Sequence, residues 1–166
     1  MEKYFMHRIK EENGVFTAGV EVHDTLESAI RSFHGYMKQG YDNPSFPNVT
    51  FVSCKVRNGN GETLTGYDET WQKEDEYAVN AFFIHHIRMD GETFTKAIDV
   101  LTSYETAEHR FHAEMEYGYE NTKFPNVNYE SCLITEKLSN VELKKETWEK
   151  PASEPEPEEE PAEAQA

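Results

Sequence analysis

Cysteine is scarce in this chain. Cys54 and Cys132 are the only two in 166 residues, too few for a disulfide scaffold, and in a reducing compartment both are thiols. Long apolar runs are lacking too, which argues against a membrane-crossing helix. The opening Met1-Glu2-Lys3-Tyr4-Phe5-Met6-His7-Arg8 has no apolar stretch of the kind a secretory leader needs, so the expected location is the cytoplasm. Positive charge is short: 16 Lys and Arg face 32 Asp and Glu, a net charge of −16. Six of the glutamates fall in the last sixteen positions, which hold no Lys or Arg, so the first 150 residues carry −10. Such a body is not expected to bind nucleic-acid phosphates directly, which takes Lys and Arg. Nor is it expected to adhere to anionic membranes.

Motifs of catalysis are also missing. Asn58-Gly59-Asn60-Gly61 is the one glycine cluster, and it reads as a hairpin turn, not a strand-to-helix phosphate loop. A zinc site needs four converging ligands, yet no CxxC, HxxxH or HExxH occurs, and His109 and His112 stand only three apart. His7, His85, His34 and His112 are read as core histidines with backbone partners. An isolated Cys on a strand is usually a small core residue, so a Cys–His nucleophile pair is not expected at Cys54 or Cys132. The acidic clusters Glu11-Glu12 and Glu74-Asp75-Glu76 read as solvated charge. The chain is therefore expected to be no enzyme and to need no metal or cofactor.

What the sequence does contain is a copy of itself. Residues 3–58 set against 81–136 give a gapless register with 20 identities in 56 pairs. Among them are Phe5/Phe83, His7/His85, Phe33/Phe111, Met37/Met115 and Cys54/Cys132. Glu69-Thr70-Trp71 returns as Glu146-Thr147-Trp148 at an offset of 77, one residue having been lost in the hairpin between. A period of this size exceeds that of the common solenoids, and two copies suggest a fused dimer.

Each copy has the same hydropathy pattern. Residues 4–10 alternate, with Phe5, His7 and Ile9 on one face, and after Asn13-Gly14 the alternation resumes through Phe16, Ala18, Val20 and Val22, a hairpin signature. Asp24-Thr25-Leu26-Glu27 resembles a capping box with Asp24 as the cap, and Thr102-Ser103-Tyr104-Glu105 holds the same place in the second copy. Leu26, Ala29, Ile30, Phe33 and Met37 form a helical stripe, answered by Tyr104, Ala107, Phe111 and Met115. Gly40 and Gly118 stand where a glycine would stop each helix. Residues 49–56 and 62–71 are the third and fourth strands. The expected fold is α+β: two tandem ββαββ repeats, each an antiparallel sheet with one helix on one face, packed as a pseudo-dimer. The predicted boundaries are 1–73, a connector at 74–80, 81–150, and a disordered Pro/Glu tail at 151–166, which has too little apolar surface to fold. About 70 residues is small for such a unit alone, so the copies are expected to share buried surface.

The closest copying is in a loop. GYDNPSFPNV at residues 40–49 returns as GYENTKFPNV at 118–127 with seven of ten residues unchanged. One reading is structural: Gly40 supplies a left-handed residue, Pro47 fixes φ, Asn48 suits a turn, and Tyr41 and Phe46 fold under the helix end. The other is functional, since loops on a rigid sheet commonly carry binding. On that reading Tyr41, Asn43, Phe46, Asn48 and their counterparts Tyr119, Asn121, Phe124 and Asn126 form two equivalent contact sites.

Five segments carry a resemblance: His7-Arg8-Ile9, Val22-His23-Asp24-Thr25-Leu26, Phe33-His34-Gly35-Tyr36, the Cys54 strand and Glu69-Thr70-Trp71. Together with the acidic tail they resemble a family of short proteins of prophages and mobile elements of gut Firmicutes. Members of that family are mostly single-repeat and have no established activity, so the resemblance implies a genomic setting and no mechanism. The two-copy chain departs from it, which leaves the oligomeric state open. The functional expectation is a non-enzymatic binding or assembly protein with a protein partner. The first alternative is an acidic mimic of nucleic acid that inhibits a host protein. The second is a small-molecule binder or a His/Cys enzyme.

Overall fold

A computed structural model describes residues 1–74 and 78–152. The tail from 153 and the middle of the connector, 75–77, lie outside the described residues, and with them most of the segment expected to be disordered. The first half runs β1 (Tyr4–Glu12), β2 (Val15–His23), α1 (Leu26–Met37), β3 (Val49–Asn58) and β4 (Thr63–Gln72). The second repeats it as β5 (Phe82–Asp90), β6 (Thr93–Leu101), α2 (Tyr104–Met115), β7 (Val127–Glu136) and β8 (Glu142–Glu149). Each half makes one antiparallel four-stranded sheet, β2-β1-β3-β4 and β6-β5-β7-β8. The pairing of β1 with β2 and β3 has the same register as that of β5 with β6 and β7, down to a break after Glu11 that recurs after Met89.

Strand alternation sends each sheet's side chains to two different cores. On the outer face of the first sheet, Met6, Val52, Cys54 and Val56 pack beneath Ala29, Phe33 and Met37 of α1. Ile84, Cys132 and Ile134 do the same beneath Ala107, Phe111 and Met115 of α2. The inner faces meet each other. Phe5, Ile9, Val20 and Phe51 of one half share a single buried cluster with Phe83, Ile87, Ile98 and Tyr129 of the other. The result is four layers, helix–sheet–sheet–helix, and the expected shared surface is the sheet-to-sheet core.

Contacts across that core come in symmetric pairs. Phe5 stacks on Tyr129 at 5.9 Å, and the equivalent pair Phe51–Phe83 lies at 5.9 Å. Phe5–Phe94 and Phe16–Phe83 repeat the same edge contact. Glu11 at the far end of β1 pairs with Lys137 just beyond the end of β7, at 3.3 Å. The Met1 ammonium pairs with Glu149 at the end of β8, at 2.7 Å. The two sheets are therefore related by a pseudo-twofold across the strands, and the β3 entrance of one half lies at the opposite end of the sandwich from the β7 entrance of the other.

The centre of this interface is polar. His7 and His85 are 1% exposed and meet Nδ1 to Nδ1 at 2.9 Å. Beside them Lys55 and Arg57 are each 2% exposed. Lys55 reaches Glu142 of the other half at 3.5 Å and Asp68 at 3.7 Å, and Thr63 donates to the same Glu142 at 2.5 Å. The counterparts of Lys55 and Arg57 in the second half are Leu133 and Thr135, both buried.

Several local expectations need correction. The helix caps are Thr25 and Ser103, whose hydroxyls accept from Ser28 and Thr106 N–H; Asp24 is drawn away to an ion pair with Lys3. Gly40 and Gly118 do not adopt the left-handed conformation, which falls instead on Tyr41 and Asp42 (φ 60° and 54°) and on Tyr119 and Glu120 (φ 58° and 55°). The glycines are required by close approach: a Cβ on either would lie 3.0 Å from the ring of Trp71 or Trp148. His7 and His85 take each other, not backbone, as partners, while His34 and His112 lie on the exposed side of their helices.

Candidate functional site

The twin loops are built alike. Asn43 N–H donates to the Gly40 carbonyl (3.2 Å), Phe46 to Asn43 (2.9 Å) and Val49 to Phe46 (3.3 Å), and the second loop repeats the ladder from Asn121 to Val127. The side chains of Asn43 and Asn121 clamp the ladder. Each donates to a helix-end carbonyl, Lys38 at 2.6 Å or Glu116 at 2.8 Å. Each also accepts the amide two residues on, at 3.0 Å. Asn48 and Asn126 are exposed, and their carbonyls tie the loop to the β-hairpin through Asn13 (3.3 Å) and Gly91 (3.0 Å). Phe46 is half-buried against the α1 core, and Phe124 sits 4.4 Å from the Tyr117 ring. Six of the eight candidate residues thus help to shape the loop.

Tyr41 and Tyr119 behave differently. Each is 53% exposed, not folded under its helix. Tyr41 leans on Trp71 at 6.1 Å and 46°, and Tyr119 on Trp148 at 5.9 Å and 43°. Tyr119 donates its hydroxyl to Glu146, and Glu69 is the carboxylate that acts on the Tyr41 phenol in the first half. Partial burial and then these carboxylates push both phenols up to about 12. Each hydroxyl therefore stays protonated, and the bond to Glu146 fixes the direction of the Tyr119 ring.

Sequence reasoning singled out the tyrosines but missed the groups behind them. Glu69 and Trp71 are two apart on β4, hence on one face, and that face borders the loop only once β4 is paired to β3. The recurrence of Glu-Thr-Trp in both copies was the available signal.

Other candidates are weaker. Burial pushes the Cys54 and Cys132 thiols well above their ordinary range, which disfavours thiolate chemistry. Among the described residues no three His, Cys, Asp or Glu side chains converge to hold a metal ion. A cleft of about 620 Å³ opens beside the connector, between Phe16, Val79, Leu101 and Lys137. Its one buried cation, Lys137, is already taken up by Glu11, by the Val79 carbonyl and by the Phe16 and Phe51 rings. No helix among the described residues is long and apolar enough to cross a membrane. Comparison of the chain with protein-family models, curated proteins and solved structures returned no match.

Proposed function

We propose that the chain is a non-enzymatic binding or assembly protein, and that the loops at 40–49 and 118–127 are two equivalent contact sites for a protein partner. One observation carries the reading. A large aromatic side chain is held exposed, in a left-handed backbone conformation, at the same place in both halves. That conformation costs a non-glycine residue about 1–2 kcal/mol, and strain of this kind gathers at functional sites. A loop needed only to reverse the chain would have glycine there; here the glycine stands one residue earlier, against the tryptophan.

The placement of the loops suits bridging. They open at opposite ends of the sandwich, separated by roughly the length of a ten-residue strand, about 30 Å. One molecule then joins two partner copies instead of gripping one twice. A phage- or prophage-encoded assembly component, the setting implied by the sequence resemblance, fits this arrangement.

A photo-crosslinking amino acid at position 41 or 119, in the natural host's lysate, tests the proposal. Both positions should capture the same protein, and the equally exposed Leu138 (49%) should not. Capture at all three positions, or at none, would count against it.

A further inference from the structure

The chemistry of the two sites also indicates what they receive. Five other rings already carry a cation of this chain: Tyr36 beneath Arg8, Tyr117 beneath Arg88, Phe16 and Phe51 beneath Lys137, and Phe111 beneath Lys144. Among the described residues none stands over Tyr41, Trp71, Tyr119 or Trp148. Among the described residues several carboxylates are paired with a Lys, Arg or His, Asp68, Glu142 and Glu11 among them, and others, such as Glu62 and Glu105, are not. Among the described residues Asp42 and Glu69 at the first site, and Glu120 and Glu146 at the second, also have no such pair; what marks them is their place beside an exposed ring, Glu146 being bonded to the Tyr119 hydroxyl. Lys38 and Lys123 lie nearby on the helix end and the loop, and neither forms an ion pair among the described residues.

On the reading that the loops are contact sites, we infer that each receives a Lys or Arg side chain of the protein partner. The cation lies against the Tyr–Trp ring pair, whose faces are electron-rich. Glu69 with Asp42, or Glu146 with Glu120, supplies the counter-charge. At the second site the bond from Tyr119 to Glu146 holds ring and carboxylate together as one station, and Glu69 and Tyr41 occupy the equivalent places at the first. An acidic segment would meet two carboxylates without a counter-ion, and a purely apolar one would strip water from them.

The chain's only two tryptophans are Trp71 and Trp148, so intrinsic tryptophan fluorescence reads these two stations alone. The experiment titrates the full chain with hexa-arginine and with hexa-citrulline, its uncharged isostere. A saturable emission change is expected with hexa-arginine only, weakening as salt rises. The Glu69→Gln, Glu146→Gln double variant keeps the shape and the acceptor; it should bind about two- to five-fold more weakly, the scale of one exposed cation–π or ion-pair contact. Tyr41→Ala, Tyr119→Ala should lose the response. Glu27→Gln, Glu105→Gln, which removes helix-surface charge elsewhere, should match the parent.

Equal weakening by the helix control would reduce the effect to general acidity and overturn the inference. An equal response to hexa-citrulline would overturn it as well. If hexa-arginine fails while crosslinking at 41 and 119 still captures a protein, the cation claim falls and the contact sites stand. If both fail, both readings fall.

Discussion

His7 and His85 share a hydrogen bond of 2.9 Å between their Nδ1 atoms, at equivalent positions on either side of the pseudo-twofold. One imidazole must donate and the other accept, so the pair is symmetric in sequence and asymmetric in protons. The surroundings indicate the assignment. His85 Nε2 bonds Thr135 Oγ1 at 2.9 Å, whereas His7 Nε2 has no partner among the described residues; both rings feel the charges of Arg57 and Lys55. A lone pair suits a cationic neighbourhood better than an N–H. His7 Nδ1–H therefore donates to His85, and His85 Nε2–H to Thr135.

Burial, Arg57, Lys55 and the mutual pairing hold both histidines well below their ordinary value. The unfolded chain then takes up protons that the folded one refuses. Their contribution is full above about pH 6.5 and falls below it, by up to about 1.4 kcal/mol per histidine per pH unit. Other groups titrate in the same range, so the pair is read from the difference in urea-melt stability between the parent and His7→Gln, His85→Gln at pH 7.5, 6.0 and 5.0, which should move against the parent as pH falls. A difference that is the same at all three values would contradict the neutral pair.

Glu130 has the opposite sign. It is fully buried, its oxygens lack partners among the described residues, and it occupies the place that Val52 fills in the first half. Burial, then the nearby Glu114, push its carboxyl up to about 9. The folded state holds a proton that the unfolded state releases above about pH 4.5, so this group erodes stability as pH rises toward 9. Glu130→Val should stabilise by about 1–3 kcal/mol at neutral pH, and by more at pH 8 than at pH 6. Thermal or chemical melts of the two proteins across that range decide it; a destabilised variant would mean the carboxyl is satisfied.

Glu142 is the carboxylate on which Lys55 depends across the interface. Removing one partner of a buried pair strands the other charge. Glu142 is 22% exposed and Asp68 gives partial cover, so Glu142→Gln should cost about 1–3 kcal/mol, less than for a sealed pair. Adding Lys55→Leu, the residue the second half carries at Leu133, should recover most of that loss in urea melts.

Gly40 and Gly118 have ordinary φ, so alanine there brings no backbone strain and reports only the approach of the tryptophan. Each Gly→Ala should cost about 1–3 kcal/mol by overpacking, with a change in tryptophan emission. A silent Gly40→Ala would show that Trp71 yields freely.

Much of this fold is written in local patterns. Alternation and the 78-residue register specify the strands, the helices and the two halves, because each is a statement about neighbours in the chain. The partner of His7 is not legible that way: Phe5, His7 and Ile9 plainly share a face, but nothing local says that the face covering them is its own copy. The helix cap was displaced by one residue because Lys3, distant in sequence, competes for Asp24. The left-handed residue was assigned to Gly40 on propensity, and close packing against Trp71 overrode it. At the loops, Tyr41 and Tyr119 were legible as repeated residues, but Glu69 and Trp71 join them only through strand pairing.

Lys55 and Arg57 have a consequence for the history open to this chain. A first half meeting another first half would set two lysines and two arginines into a dry seam, with Thr63 where Glu142 now stands. Asp68 would remain as the carboxylate for each lysine, and such a pair would be weaker than the seam of two unlike halves. The halves are similar enough to be recognised as copies, yet each now needs the other's chemistry. The two halves are therefore not interchangeable: the second supplies the carboxylate that Lys55 reaches across the seam, and a chain reduced to its first half would lose it.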